Sequence, residues 1–241
     1  MDAIKTTALT KRYGSKTALD ALELTVRDGE LFALLGVNGA GKTTAIKLLS
    51  CLMQPTSGTA SIYGYDILTQ SHDARSLLAT SPQETAVAPN LTTRENLELM
   101  VGIYGAGNKE AADKATEMIE SFNLSSIEKM KAKKLSGGWQ RRLSIAMALI
   151  SQPKLLFLDE PTLGLDVLAR RELWSIIRQL KGKTTIILTT HYLEEAEALS
   201  DRIGILSAGK LTALGTAKEL MECSGATTFE DAFITLAGGV I

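Results

Sequence analysis

The stretch that most restricts this chain is Gly36-Val37-Asn38-Gly39-Ala40-Gly41-Lys42-Thr43-Thr44. It stands directly after an apolar run, Leu31-Phe32-Ala33-Leu34-Leu35, and directly before a helix-patterned one, Ala45-Ile46-Lys47-Leu48-Leu49. A strand that turns through glycines into a helix reads as a phosphate-binding loop. Gly36, Gly39 and Gly41 let the backbone turn tightly and aim successive N–H groups at one anion, and the helix N-terminus adds a partial positive charge. Lys42 supplies a full charge for the β- and γ-phosphates of a nucleotide, and the Thr43 hydroxyl suits Mg²⁺. The whole loop, Asn38, Ala40 and Thr44 included, is the candidate nucleotide contact. The helix after it is expected to carry Ile46, Leu49 and Met53 on one stripe, with Cys51 inside it.

The rest of the chain divides by texture. Residues 1–82 form the first part of a nucleotide-binding core; the first thirty alternate apolar and polar with turn residues between, which predicts a strand-rich, antiparallel layer ahead of the loop. Tyr13 is expected in the turn Tyr13-Gly14-Ser15-Lys16, either stacked on a nucleotide base or packed within the turn. From 83 to 151 the pattern is helical. Thr92-Thr93-Arg94-Glu95 resembles a capping box, and Ala111, Ala115, Met118, Ile119 and Phe122 form one stripe. Residues 152–220 return to strand and helix units: the apolar runs Leu155-Leu156-Phe157-Leu158, Thr184 to Thr189 and Ile203 to Leu206 are separated by helix patterns. Such units predict a mainly parallel sheet with helices outside it. Residues 221–241 read as a helical extension. The fold class is thus α/β, with a helical subdomain inserted into a P-loop core.

The run 155 to 158 ends in Asp159-Glu160, at the sheet edge where open α/β folds bind ligands. Asp159 is placed to hold Mg²⁺ opposite Thr43, and Glu160 to accept a proton from the water that attacks the γ-phosphate. The two motifs together describe a P-loop nucleoside triphosphatase. A third narrows it: Leu135-Ser136-Gly137-Gly138 opens another helix, so Ser136, Gly137 and Gly138 form a second anion site at a helix N-terminus.

At this point the chain resembles the ATP-binding cassette (ABC) ATPases, whose signature motif is Leu-Ser-Gly-Gly-Gln. The resemblance implies a head-to-tail dimer, in which Ser136 to Gly138 of one subunit complete the ATP site on the phosphate loop of the other. It implies further roles by position. Tyr13 resembles the aromatic that stacks on adenine, and Gln83 the glutamine that joins Mg²⁺ and the attacking water to the helical subdomain. Asp166, in Gly164-Leu165-Asp166, resembles the loop that crosses the dimer interface, and His191 the histidine that contacts the γ-phosphate. His72 has no such context and is assigned to the surface. Trp139 stands where the signature has glutamine, and is expected to change packing or coupling more than ATP binding. Trp139, the Gly-Leu-Asp loop and Phe229-Glu230-Asp231-Ala232-Phe233 together look like the exporter branch that handles drugs, ions, lipids or polysaccharides.

The expected protein is the ATP-hydrolysing subunit of an exporter, with ATP and Mg²⁺ as cofactors. It would act as a homodimer or beside a related subunit, on the cytoplasmic face of a separately encoded membrane permease. Lys and Arg total 26 against 27 Asp and Glu, so there is no basic excess of the kind phosphate-backbone binding needs. That disfavours nucleic acid and a ribosome- or DNA-directed ABC ATPase. The intact Lys42, Glu160 and His191 argue against a non-catalytic regulator. No apolar run approaches the ~20 residues of a membrane span, and Met1 to Thr6 have no apolar signal core. Cys51 and Cys223 lack metal-type spacing, which points to a reducing compartment.

Overall fold

A computed structural model describes residues 1–239; the last two residues of the expected 221–241 extension lie outside the described ones. In chain order its elements are β1 (Asp2–Tyr13), β2 (Lys16–Leu22), β3 (Thr25–Arg27), β4 (Leu31–Leu35), α1 (Lys42–Leu49), β5 (Ser57–Ile62), β6 (Tyr65–Asp66), α2 (Ser71–Ser76) and β7 (Leu78–Ser81). There follow α3 (Thr93–Ile103), α4 (Asn108–Ser121), α5 (Gly137–Leu149), β8 (Leu155–Asp159), α6 (Val167–Leu180) and β9 (Thr185–Thr190). The chain closes with α7 (Leu193–Leu199), β10 (Arg202–Ser207), β11 (Lys210–Gly215), α8 (Ala217–Ser224) and α9 (Phe229–Leu236).

Six strands make the central sheet in the order β11-β10-β4-β9-β8-β7, parallel throughout except for the β10–β11 hairpin. Strands β4, β8 and β9 are buried at every position, as expected where both faces of a parallel sheet are covered. Their side chains alternate between two cores. Leu155, Phe157 and Ile187 pack with α1 and the antiparallel layer β2-β1-β5-β6. Leu156, Leu158, Ile186 and Leu188 pack with the apolar stripes of α3 to α6. Ala33 and Leu35 face a third cluster with Ala196, Leu220 and Phe229, so the C-terminal helices α8 and α9 cover the far end of β4 and β10.

The capping box at Thr92 and Glu95 starts α3, and Ala111, Ala115, Ile119 and Phe122 are buried as the stripe predicts. Three expectations need correction. Tyr13 is the last residue of β1, paired with Lys16, and not a turn residue: a bulge at Ala8 (φ 48°) and shifted register let pairing resume, so the strand runs past Leu9 to Tyr13. Helix α1 stops at Leu49, and Cys51 lies beyond it with φ 58°, so the stripe does not reach Met53 and Leu52 is 68% exposed. The short β6 and α2 were missed because each is too brief to show a period; exposed His72 sits on α2. Among the described residues no helix is long and apolar enough to cross a membrane.

Candidate functional site

The carboxyl ends of β4, β8 and β9 lie side by side, because β9 pairs in parallel with both neighbours. Each strand therefore delivers its following loop to one edge of the sheet. The loop after β4 folds against the end of β10 and against β2: a Cβ on Gly36 would lie 2.3 Å from the Leu206 carbonyl oxygen, and one on Gly41 (φ +111°) 2.5 Å from that of Ala18. Only glycine allows that approach. Ala40 closes the turn by donating its amide to the Val37 carbonyl at 3.1 Å. The amides of Gly39, Gly41, Lys42, Thr43 and Thr44 donate to no protein acceptor among the described residues. That leaves a row of donors at the start of α1, which fits a polyphosphate.

A cavity of about 460 Å³ opens above this row, lined by Tyr13, Asn38, Gly39, Gly41, Lys42, Thr43, Thr44, Gln83, Glu160 and His191 among others. At its floor Lys42 is 5% exposed. Its Nζ donates to the Gly36 carbonyl at 2.7 Å and stands 3.1 Å from Glu160 Oε1. His191 Nδ1 lies 2.5 Å from Glu160 Oε2, so one carboxylate joins the lysine of α1 to the histidine after β9. Glu160 has φ 48°, a left-handed conformation that a non-glycine residue adopts only when its surroundings hold it. Two bonds do so here: its amide donates to both the carbonyl and the hydroxyl of Thr189, each at 3.1 Å.

Asp159 lies behind the lining rather than in it. Its Oδ1 accepts from Thr189 Oγ1 at 2.5 Å and, more loosely, from Thr43 Oγ1 at 3.4 Å. Among the described residues no three of His, Cys, Asp and Glu converge as a metal cage. Thr43, Asp159 and Gln83 instead offer a hydroxyl, a carboxylate and an amide, a hard oxygen set that fits Mg²⁺ bound chiefly through phosphates. Tyr13 is 47% exposed at the cavity mouth, and its hydroxyl reaches Met53 Sδ at 2.9 Å.

Four sequence-read positions, Ser136, Gly137, Gly138 and Asp166, are not brought to this cavity. Ser136 is the N-cap of α5 yet makes no side-chain cap bond, and it and Gly137 are exposed. Gly138 packs against α6, where a Cβ would come 3.1 Å from Ala169 Cβ. Asp166 caps α6 by accepting from the Ala169 amide at 2.9 Å. Trp139 also avoids the cavity: it packs partly buried on the helical core with the Arg142 guanidinium 4.6 Å from its ring centre. Reading the sequence missed Lys16 and Ala18 on β2 and Leu163 in the loop after β8, which line the cavity, and Thr189, which holds Asp159 and Glu160. A threonine within a buried strand is the one signal that could have marked the last.

Residues 19–163 match the family model described as ABC transporter. The chain is 42% identical over 224 residues to the daunorubicin resistance ATP-binding protein DrrA3 of Streptomyces coeruleorubidus, an alignment covering 92% of this chain and 71% of that protein. Its fold matches the solved structure of an ATP-binding subunit of an ABC transporter at a TM-score of 0.85 and 30% identity, covering 97% of this chain and 99% of the other. It also matches a dimeric ATP-binding cassette in a post-hydrolysis state, bound to ADP and Pi, at a TM-score of 0.79 and 26% identity, covering 88% and 98%. Motif, fold and near-complete alignment agree, and the chain belongs to the ABC transporter family as one of its ATP-binding proteins.

Proposed function

We propose that this chain hydrolyses ATP to drive an exporter of drug-like compounds through a separate membrane permease, working as a head-to-tail dimer at the membrane's cytoplasmic face. The observation that carries the reading is the chain of contacts Lys42–Glu160–His191 on the floor of a cavity lined by the phosphate loop. In this reading the free amides of 39 to 44 and Lys42 bind the phosphates, and Tyr13 stacks on the adenine. Glu160 takes the proton of the attacking water, oriented by His191. Phosphate oxygens compete with Glu160 for Lys42, so nucleotide entry releases the carboxylate from its cation. Mg²⁺ held by Thr43, Asp159 and Gln83 would neutralise charge on the phosphates.

The dimer reading is supported by the separation of Ser136 to Gly138 from the cavity, by apolar Leu163, Val167 and Leu168, each more than 40% exposed beside Asp166, and by the dimeric structural relative. Residues 83–151 are proposed as the unit that meets the permease. Leu99, Ile103 and Tyr104 on or just after α3 are exposed, with Leu99 and Ile103 one turn apart. The drug-resistance relative favours drug-like cargo.

Phosphate release by the purified chain tests the catalytic half: turnover per chain should rise with protein concentration as dimers form. A concentration-independent rate in a proven monomer would count against the dimer. For the export half, cells whose own copy carries Glu160→Gln should retain more daunorubicin than cells with the unaltered gene. Equal retention would remove drug export.

A further inference from the structure

Arg141 lies on α5, five residues after Ser136, yet it is only 4% exposed. Among the described residues it forms no ion pair. Its guanidinium donates instead to four main-chain carbonyls: Nε to Pro161 at 2.9 Å, Nη2 to Asp159 at 2.5 Å, and Nη1 to Pro82 and, at 3.3 Å, to Gln83. Asp159 and Pro161 are the two neighbours of Glu160. Pro82 and Gln83 follow β7. Pro82, Gln83 and Pro161 lie beyond their strands with no ladder to satisfy their carbonyls, and Asp159 is the last residue of β8, so one buried guanidinium satisfies the main chain of two segments at once. Burial pushes the Arg141 guanidinium down to about 10, and the nearby carboxylates of Asp159, Glu195 and Glu160 oppose that shift.

Neither loop can move far without breaking these bonds, and both are tied to the helix that begins at Ser136. Five residues of helix are about 7.5 Å, short enough for α5 to move as one rod. We infer that Arg141 is a positioning residue for hydrolysis, which holds Glu160 and Gln83 in register with each other and with the Ser136 end of α5. The inference rests on the reading of Glu160 and Gln83 as working groups of the ATP site. An anion drawing on the start of α5 would then shift the base of the same chain's own site, so that two composite sites in a dimer feel each other through Arg141.

The test compares the wild-type protein, Arg141→Lys, Glu160→Gln and the double variant. Steady-state phosphate release, equilibrium binding of a fluorescent ATP analogue, single-turnover hydrolysis and melting temperature are measured on each. Lysine keeps the charge but cannot reach both loops. Arg141→Lys should lower kcat at least 10-fold while KM and analogue affinity stay within threefold. In the Glu160→Gln background the same change should lower single-turnover hydrolysis less than twofold, because its effect runs through Glu160. A kcat within twofold of wild type overturns the inference, and so does a loss that multiplies fully in the Glu160→Gln background. If Arg141→Lys shows no cooperative melting, Arg141→Gln, which keeps N–H donors, is read by the same criteria; failure of both to fold overturns the inference by making Arg141 a structural residue. Absence of hydrolysis in the wild-type protein would overturn the reading of the site itself, and this inference with it.

Discussion

Two helices in this chain begin at glycine-rich corners aimed at an anion, and they differ in what surrounds them. The start of α1 has Lys42 buried beside Glu160, Thr43 against Asp159, and a cavity above its free amides. The start of α5 has Ser136 and Gly137 exposed and outside that cavity, and Ser136 makes no side-chain cap bond. A helix terminus alone contributes about 0.3–1 kcal/mol toward an exposed charge, too little to hold a phosphate. The first corner is therefore a nearly complete site, while the second can only add to the hold on an anion that is bound elsewhere. In the proposed dimer that anion is the γ-phosphate on the partner's α1.

Four expected outcomes break or sharpen this contrast. Glu160→Gln should remove the chemistry of the α1 corner and leave its cradle intact: turnover falls at least ~10²-fold, the low end of a positioned general base, while ATP still binds. Near-normal phosphate release would take Glu160 out of that role. Gly137→Asp addresses the other corner. A Cβ there meets nothing within 4 Å, and an acid at a helix N-terminus favours folding. Turnover should drop by about 10-fold through repulsion of the anion, with ATP binding to the isolated chain unchanged. Mixing this variant with Lys42→Ala should restore roughly a quarter of wild-type activity, since random pairing gives half heterodimers with one sound site each. No recovery on mixing would place both corners in one chain's site.

A smaller effect is expected at the cavity mouth. Tyr13→Ala should weaken ATP binding about 5- to 10-fold and Tyr13→Phe hardly at all, if the ring stacks on the base at ~1–1.5 kcal/mol. Equal losses in both variants would assign the Met53 contact of the hydroxyl instead. The smallest is a stability effect behind the site. Glu195 is fully buried, accepts from Trp174 Nε1 at 3.0 Å through Oε1, and has no partner for Oε2 among the described residues. Burial pushes its carboxyl up, so the folded state keeps a proton that the unfolded chain loses. Its contribution is thus full below the unfolded pKa and is lost as pH rises through the folded one. Glu195→Gln keeps the acceptor for Trp174 and cannot ionise. Its melting temperature should match or exceed that of the wild-type protein, with the gap widening from about pH 5 to about pH 8; a gap that narrows with pH would reject the burial argument.

Long periodic or fully apolar segments were legible before the structure. β4, β8 and β9 are unbroken buried runs, α3, α4 and α6 repeat a helical period, and the loop from Gly36 to Thr44 is marked by glycine spacing between β4 and α1. Short elements and ends were not: α2 and β6 are under one period long, and β1 passes through a bulge that reads as a break. The stop of α1 at Leu49 escaped because Cys51 and Leu52 continue the apolar pattern while the backbone has already left the helix.

By itself the sequence determined which chemical groups are present and on which side of which strand they emerge: three glycines and a lysine before a helix, two acids after an apolar strand, a histidine after another. Those are consequences of local geometry, since residue spacing along one element fixes direction. The tertiary structure alone decided which groups meet. Lys42, Glu160 and His191 are separated by more than thirty residues, and the first and last meet the carboxylate of the second because β4, β9 and β8 are neighbours in the sheet. The same holds for Arg141, a charged residue of α5 that packing buries to hold the main chain around Glu160. Long-range contact depends on strand order and burial, and neither is written in the spacing of any one segment.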